Sequence, residues 1–160
     1  DTITSKAVLI LGRFTPERKA VLDALAEEVR NHQLLPIIFD FEASANRDFT
    51  ETIKILAGMS LFVIADVTNP KSSPMELQAT IPDFTIPFVT IIQEGEEPFA
   101  MLKGLTRKDW VKDKPLSYPS IEVLRQGFKR AILDWAWEKH RDLQQERVEE
   151  MKVQPIEDYI

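Results

Sequence analysis

The chain has 160 residues, 44% of them hydrophobic and 29% charged, which suits one soluble globular domain able to bury its own core. Twenty basic residues against 26 acidic ones give a net charge of −6, so no broad positive field draws nucleic acid or an anionic membrane. The absence of cysteine excludes disulfides and thiolate metal sites.

In chain order, Lys6–Gly12 is a continuous apolar run closed by glycine, as expected of a strand buried on both faces. Thr15-Pro16-Glu17 then signals a helix start: hydroxyl cap, proline at the first position, acid in the first turn. Val21, Leu22, Leu25 and Val29 give that helix an apolar stripe, and it should end near Asn31-His32. Residues 34–41 read as a second strand, with Pro36 confined to its start or to a sheet edge. Asp48-Phe49-Thr50-Glu51 resembles a capping box that opens a helix to about Met59.

Leu61–Val67 is the third strand, and Ser73 and Pro74 begin a short helix that bears Glu76. Pro87–Gln93 is the fourth, and Glu96-Glu97-Pro98 starts a further helix with Phe99, Leu102 and Leu105 inward. Trp110-Val111 is the candidate fifth strand, with Pro115 and Pro119 interrupting the residues up to 120. From Ile121 a helix carries Ile121, Leu124, Phe128, Ile132 and Trp135 on one stripe and continues to about residue 150. Residues 1–139 therefore form the α/β domain and 140–160 a charged helical extension or linker. His32 and His140 fall at polar helix positions and read as solvated.

Strands alternating with helices over short connections predict a mostly parallel sheet of four or five strands, covered on both faces. This is a flavodoxin-like or Rossmann-like three-layer α/β fold with a long C-terminal helix. No apolar run reaches the roughly 18–20 residues that span a bilayer and no signal peptide is visible, so the expected location is the cytoplasm. A chain that begins at Asp1 rather than methionine suggests a domain from a longer protein, whose other domains would be partners.

Several α/β chemistries lack their residues. The loop Gly12-Arg13-Phe14-Thr15-Pro16 holds one glycine where a dinucleotide fingerprint needs three. There is no G-x-x-x-x-G-K-[ST], no G-x-S-x-G, and no acid pair at the end of the first strand for a phospho-accepting receiver. There remains a set of polar groups at the carboxyl ends of three strands, all on one edge of the sheet. Arg13 and Phe14 follow the first strand, and Asp40 ends the second. Asp66, Thr68, Asn69, Ser72, Ser73 and Glu76 follow the third. A carboxylate there can hold sugar hydroxyls or stabilise an oxocarbenium-like centre, and Phe14 can stack on a ring. Other readings stand beside these. Ser73-Pro-Met-Glu76 is a capping box in its own right, and Asp66 can open an Asx turn into Thr68.

The segments AVLILG, FVIADVT and SSPMELQA, over roughly residues 6–105, resemble TIR-like (Toll/interleukin-1 receptor-like) domains of multidomain bacterial proteins. They are also similar to nucleoside 2-deoxyribosyltransferases. The resemblance implies an intracellular signalling or defence domain that binds a nucleotide-type small molecule and hydrolyses the nicotinamide–ribose bond of NAD. NAD enters as substrate and no cofactor is required. By the same resemblance Glu76 is the catalytic glutamate, Gly12, Arg13, Phe14, Asp40 and Asp66 line the nucleotide, and Ser72 and Ser73 orient Glu76. The family's tryptophan–cysteine pair is missing, so two alternatives stay open. One is a non-catalytic module that works by self-association or partner binding, and the other is a deoxyribosyltransferase-like enzyme. None of these readings calls for nucleic acid, a membrane or a metal.

Overall fold

A computed structural model of the chain describes residues 6–40, 47–68, 85–97 and 107–160. Strand β1 (Ala7–Gly12) is buried along its whole length. Side chains on a strand point alternately to opposite faces, so an unbroken apolar run is stable only between two covering layers. Helix α1 (Pro16–Asn31) starts where its capping signals lie, with the Thr15 hydroxyl accepting from the Arg18 N–H at 3.4 Å. It closes with Gln33 at φ +63°, the Gln33 N–H donating to the Arg30 carbonyl and the Leu34 N–H to the Val29 carbonyl. That bond pattern, a left-handed residue after the cap, is a Schellman closure.

The remaining elements are β2 (Leu35–Asp40), α2 (Arg47–Gly58), β3 (Phe62–Asp66), β4 (Phe88–Gln93) and β5 (Leu116–Tyr118). After β5 come α3 (Ile121–Gly127), a π-helical stretch Phe128–Leu133 and α4 (Asp134–Glu150), with a final 3₁₀ turn at Ile156–Tyr159. The five strands form one sheet in the order β2-β1-β3-β4-β5, and every pairing is parallel. This is the flavodoxin-like order. Pro36 accordingly sits in an edge strand.

One face of the sheet packs Val8, Ile10, Phe62, Ile64 and Ile91 against α1 and the C-terminal helices through Leu22, Leu25, Phe128 and Ile132. The opposite face groups Leu9, Leu11, Val63 and Phe88 with Ala57 of α2. The fold is thus a three-layer α/β sandwich. Among the described residues no helix is long and apolar enough to cross a membrane.

Three local expectations are corrected. The fifth strand is Leu116–Tyr118, between the two prolines, while Val111 makes only an isolated parallel bridge to Phe88. Each proline lies just outside the three paired residues, so neither removes a donor from the ladder. Helix α2 begins at Arg47, which puts Asp48 inside the first turn rather than at the cap. Both histidines are half-buried rather than solvated. His32 donates from Nδ1 to the Glu28 carbonyl at 2.9 Å and lies 5.6 Å from the Phe128 ring. His140 meets Trp137 edge-on, and burial, then the Arg147 charge, lowers its pKa.

Candidate functional site at the carboxyl edge of the sheet

The strand order reverses direction between β1 and β3, because the chain moves outward from β1 to β2 on one side and to β3 on the other. Connections from neighbouring strands diverge at such a point, and the crevice outside their carboxyl ends is where open α/β sheets bind ligands. Here that edge holds two adjoining structures. One is a hollow of about 380 Å³ lined by Arg13, Thr15, Pro16, Glu17 and Arg18. The other is a polar clasp across β3, β4 and β5.

Arg18 joins the two. From the first turn of α1 its Nη1 donates to Asp66 Oδ2 at 3.4 Å and to the Tyr118 hydroxyl at 2.9 Å, and its Nη2 donates to Gln93 Oε1 at 2.9 Å. The Asp66 side chain is 1% exposed and that of Arg18 13%. Asp66 Oδ1 accepts from the Thr68 N–H at 3.3 Å, the Thr68 hydroxyl at 2.6 Å and the Tyr118 hydroxyl at 3.3 Å. Thr68 Oγ1 in turn accepts from the Gln93 N–H at 2.9 Å. One residue from α1 and the ends of three strands therefore share a closed hydrogen-bond ring.

Burial sets the electrostatics of this ring. It pushes the Asp66 carboxyl above its ordinary 3.8, opposed by the Thr68 hydroxyl, the Arg18 charge, the Thr68 N–H and the Tyr118 hydroxyl. Burial and then the Asp66 charge push the Tyr118 phenol up to about 12. Tyr118 thus stays protonated at neutral pH and remains a donor to Asp66.

The other anticipated residues divide among distinct roles. Gly12 ends β1 under Leu22, where an added Cβ would lie 2.6 Å from Leu22 Cδ2, so its bareness seats α1 on the strand. Asp40, level with Gly12 across β1 and β2, accepts from the Phe14 N–H at 3.3 Å and so ties the loop after β1 to the end of β2. The Phe14 ring is exposed, with Lys19 Nζ 5.2 Å from its centroid. Arg13 lines the hollow. Asp66 opens the Asx turn into Thr68, and its oxygens are engaged by Thr68, Arg18 and Tyr118. Glu76, Ser72, Ser73 and Asn69, together with the expected helices at Pro74 and Pro98, lie outside the described residues. Among the described residues no group of three or more acidic or histidine side chains could hold a metal.

Arg18, Gln93 and Tyr118 were not among the residues singled out by sequence. Arg18 lies 48, 75 and 100 residues from Asp66, Gln93 and Tyr118, and no local pattern links residues so far apart.

No protein-family model matches the chain, and no curated protein matches it in sequence. Among solved structures it is similar to a diflavin flavoprotein A3 from Nostoc sp. The two are 12% identical with a TM-score of 0.61, over 89% of this chain and 98% of that one. The likeness is one of fold.

Proposed function

We propose that this chain is a TIR-like domain that binds a phosphate-bearing nucleotide outside the carboxyl ends of β1 and β3, and that NAD is hydrolysed there. The observation that carries the reading is the hollow beside the β1/β3 reversal, lined by two arginines and the capped start of α1. Oriented N–H groups and guanidinium donors at a helix start favour anionic oxygen. A volume of about 380 Å³ suits part of a nucleotide.

In the reaction, water adds to the ribose anomeric carbon, the bond to nicotinamide breaks, neutral nicotinamide leaves, and the proton lost by the water passes to solvent. Glu76, in the segment that leaves β3, is the carboxylate proposed to stabilise the oxocarbenium-like centre. Asp40 and the Asp66 clasp hold the loops around that space, and Phe14 is the residue proposed to cover the ring of the ligand.

Chromatography of reactions with NAD tests this. Nicotinamide release by the wild type, lost in Glu76→Ala, is the expected result. Release equal in both proteins removes Glu76 from the chemistry, and no release, even at high protein concentration, leaves a binding or assembly module in its place. The fold shared with a flavoprotein makes a flavin the second ligand to try. Flavin that co-purifies, or visible absorbance on adding flavin mononucleotide, would move the reading from NAD to flavin.

A further inference from the structure

Independently of the nucleotide reading above, we infer that residues 151–160 dock on a second copy of this chain, each tail seated on the other's basic segment 107–114. Val148, Met151, Val153, Ile156, Tyr159 and Ile160 are 60% to 100% exposed. The other exposed large apolar side chains among the described residues, such as Phe14 and Val123, are scattered over the domain. Single exposed apolar residues are ordinary, whereas six within thirteen residues mark a contact surface. The segment is also shaped in advance. The Asp158 N–H donates to the Pro155 carbonyl and the Ile160 N–H to the Glu157 carbonyl, both at 3.2 Å, and the Tyr159 hydroxyl donates to Gln154 Oε1 at 3.1 Å. In the 3₁₀ turn so formed Ile156 and Tyr159, three residues apart, stand on one side with Glu157 and Asp158 between them. A segment already shaped loses less entropy on docking.

Charge selects the seat. Glu150, Glu157 and Asp158 make the segment acidic, Lys152 being taken up by Glu149 at 2.8 Å, so it calls for a basic surface. Residues 107–114 supply one: Arg107, Lys108, Lys112 and Lys114 stand against Asp113, because Asp109 is paired with Lys139 at 3.6 Å. Lys108 and Lys112 lie 6.0 and 5.1 Å from the ring centroids of the half-buried Trp110 and Trp135, so the surface is apolar as well as basic. Its backbone is fixed to β4, the Phe88 N–H donating to the Trp110 carbonyl at 2.9 Å and the Lys112 N–H to the Phe88 carbonyl at 2.8 Å. From the contact of Lys139 with Asp109, α4 rises about 16 Å to its end at Glu150 and carries the tail away from its own basic segment. A second copy related by a two-fold axis lets each tail reach the other's segment, and such an isologous pairing closes at two chains. Two short segments make a small contact, so the dimer forms at roughly 100 µM and dilute solution holds the monomer.

Sedimentation velocity of the full chain from roughly 5 to 500 µM tests this, with a mass that climbs toward two chains as the expected result. Ile156→Asp with Tyr159→Asp should raise the dissociation constant about tenfold or more, and so should Lys108→Glu with Lys114→Glu. Adding Glu157→Lys and Asp158→Lys to the latter pair should restore the dimer, a recovery that damage to the fold would not give. A wild type of single mass at every concentration overturns the inference, as does a dimer untouched by the tail substitutions. A dimer lost with the tail substitutions but kept with the lysine pair overturns residues 107–114 as the seat, and no recovery in the combined variant overturns the charge pairing. A monomer whose Tyr159 amide resonance moves on Lys108→Glu with Lys114→Glu shows the tail seated on its own chain. A monomer that co-sediments with phosphatidylcholine vesicles through the tail assigns it to a lipid surface. Either result overturns the dimer.

Discussion

Asp66 concentrates the physics of this protein in one side chain. A carboxylate removed from water is tolerated only where other groups replace the lost solvation, and Thr68, Tyr118 and Arg18 all do so. Burial nonetheless outweighs them and raises its pKa above 3.8. The linkage has a definite sign. Just above pH 3.8 the unfolded chain has begun to release this proton while the native state retains it. The stability Asp66 contributes is therefore fully present below 3.8, falls as pH rises through the folded-state value, and is level beyond it. Urea unfolding of wild type and Asp66→Asn from pH 3.5 to 7 should show the wild type losing ground relative to the variant over that window. A wild type that instead gains relative stability as pH rises would refute the burial argument. The Asx turn of Asp66 was legible from D-x-T, because it joins groups two residues apart. Its guanidinium and phenol partners were not.

At the scale of elements, local signals and local structure agree at the starts of α1 and α3, though not at that of α2. Thr15-Pro16 opens α1 and Ser120 caps α3, its hydroxyl accepting from the Val123 N–H at 3.2 Å. The end of α1 is less economical, since Gln33 holds a left-handed φ of +63° that glycine would adopt without strain. Gln33→Gly should raise the unfolding free energy by up to about 1 kcal/mol, read from the urea midpoint at unchanged slope. A loss of stability would mean that the Gln33 side chain outweighs the backbone strain. The C-terminal helices hold a second departure from simple periodicity. The π-helical stretch at Phe128–Leu133 adds a residue to the turn, so Leu133 joins Leu124, Phe128, Ile132 and Ala136 in the core. A fixed 3.6-residue stripe finds Leu124, Phe128, Ile132 and Ala136, each four residues from the last, and misses Leu133. The fifth strand was missed for a related reason. Three residues are too few to carry a period, and β4 rather than local preference makes Leu116–Tyr118 a strand.

For the molecule as a whole, the order β2-β1-β3-β4-β5 places the buried strands β1, β3 and β4 inside the sheet and the proline-bearing strand at one edge. That order brings the carboxyl ends of β3, β4 and β5 under Arg18 and sets the hollow beside β1. Packing fades along α4. Leu143 is the last buried residue, and residues 144–160 are exposed, with Arg147 donating from Nη2 to the Thr85 carbonyl at 2.8 Å. Removing residues 148–160 should therefore change the unfolding free energy by less than about 1 kcal/mol. A larger drop in the thermal midpoint would show that this segment is integral to the domain.

The amino-acid order by itself determined the alternation of the described strands and helices, the cap of α1, the burial of the central strands and the three-layer class. These arise from side-chain periods and hydrogen bonds that act within a few residues. Only the tertiary structure decided the strand order, the identity of the fifth strand and the meeting of Arg18 with Asp66, Gln93 and Tyr118. Those contacts join residues many tens of positions apart, and which distant groups meet depends on how the whole chain packs rather than on any local pattern.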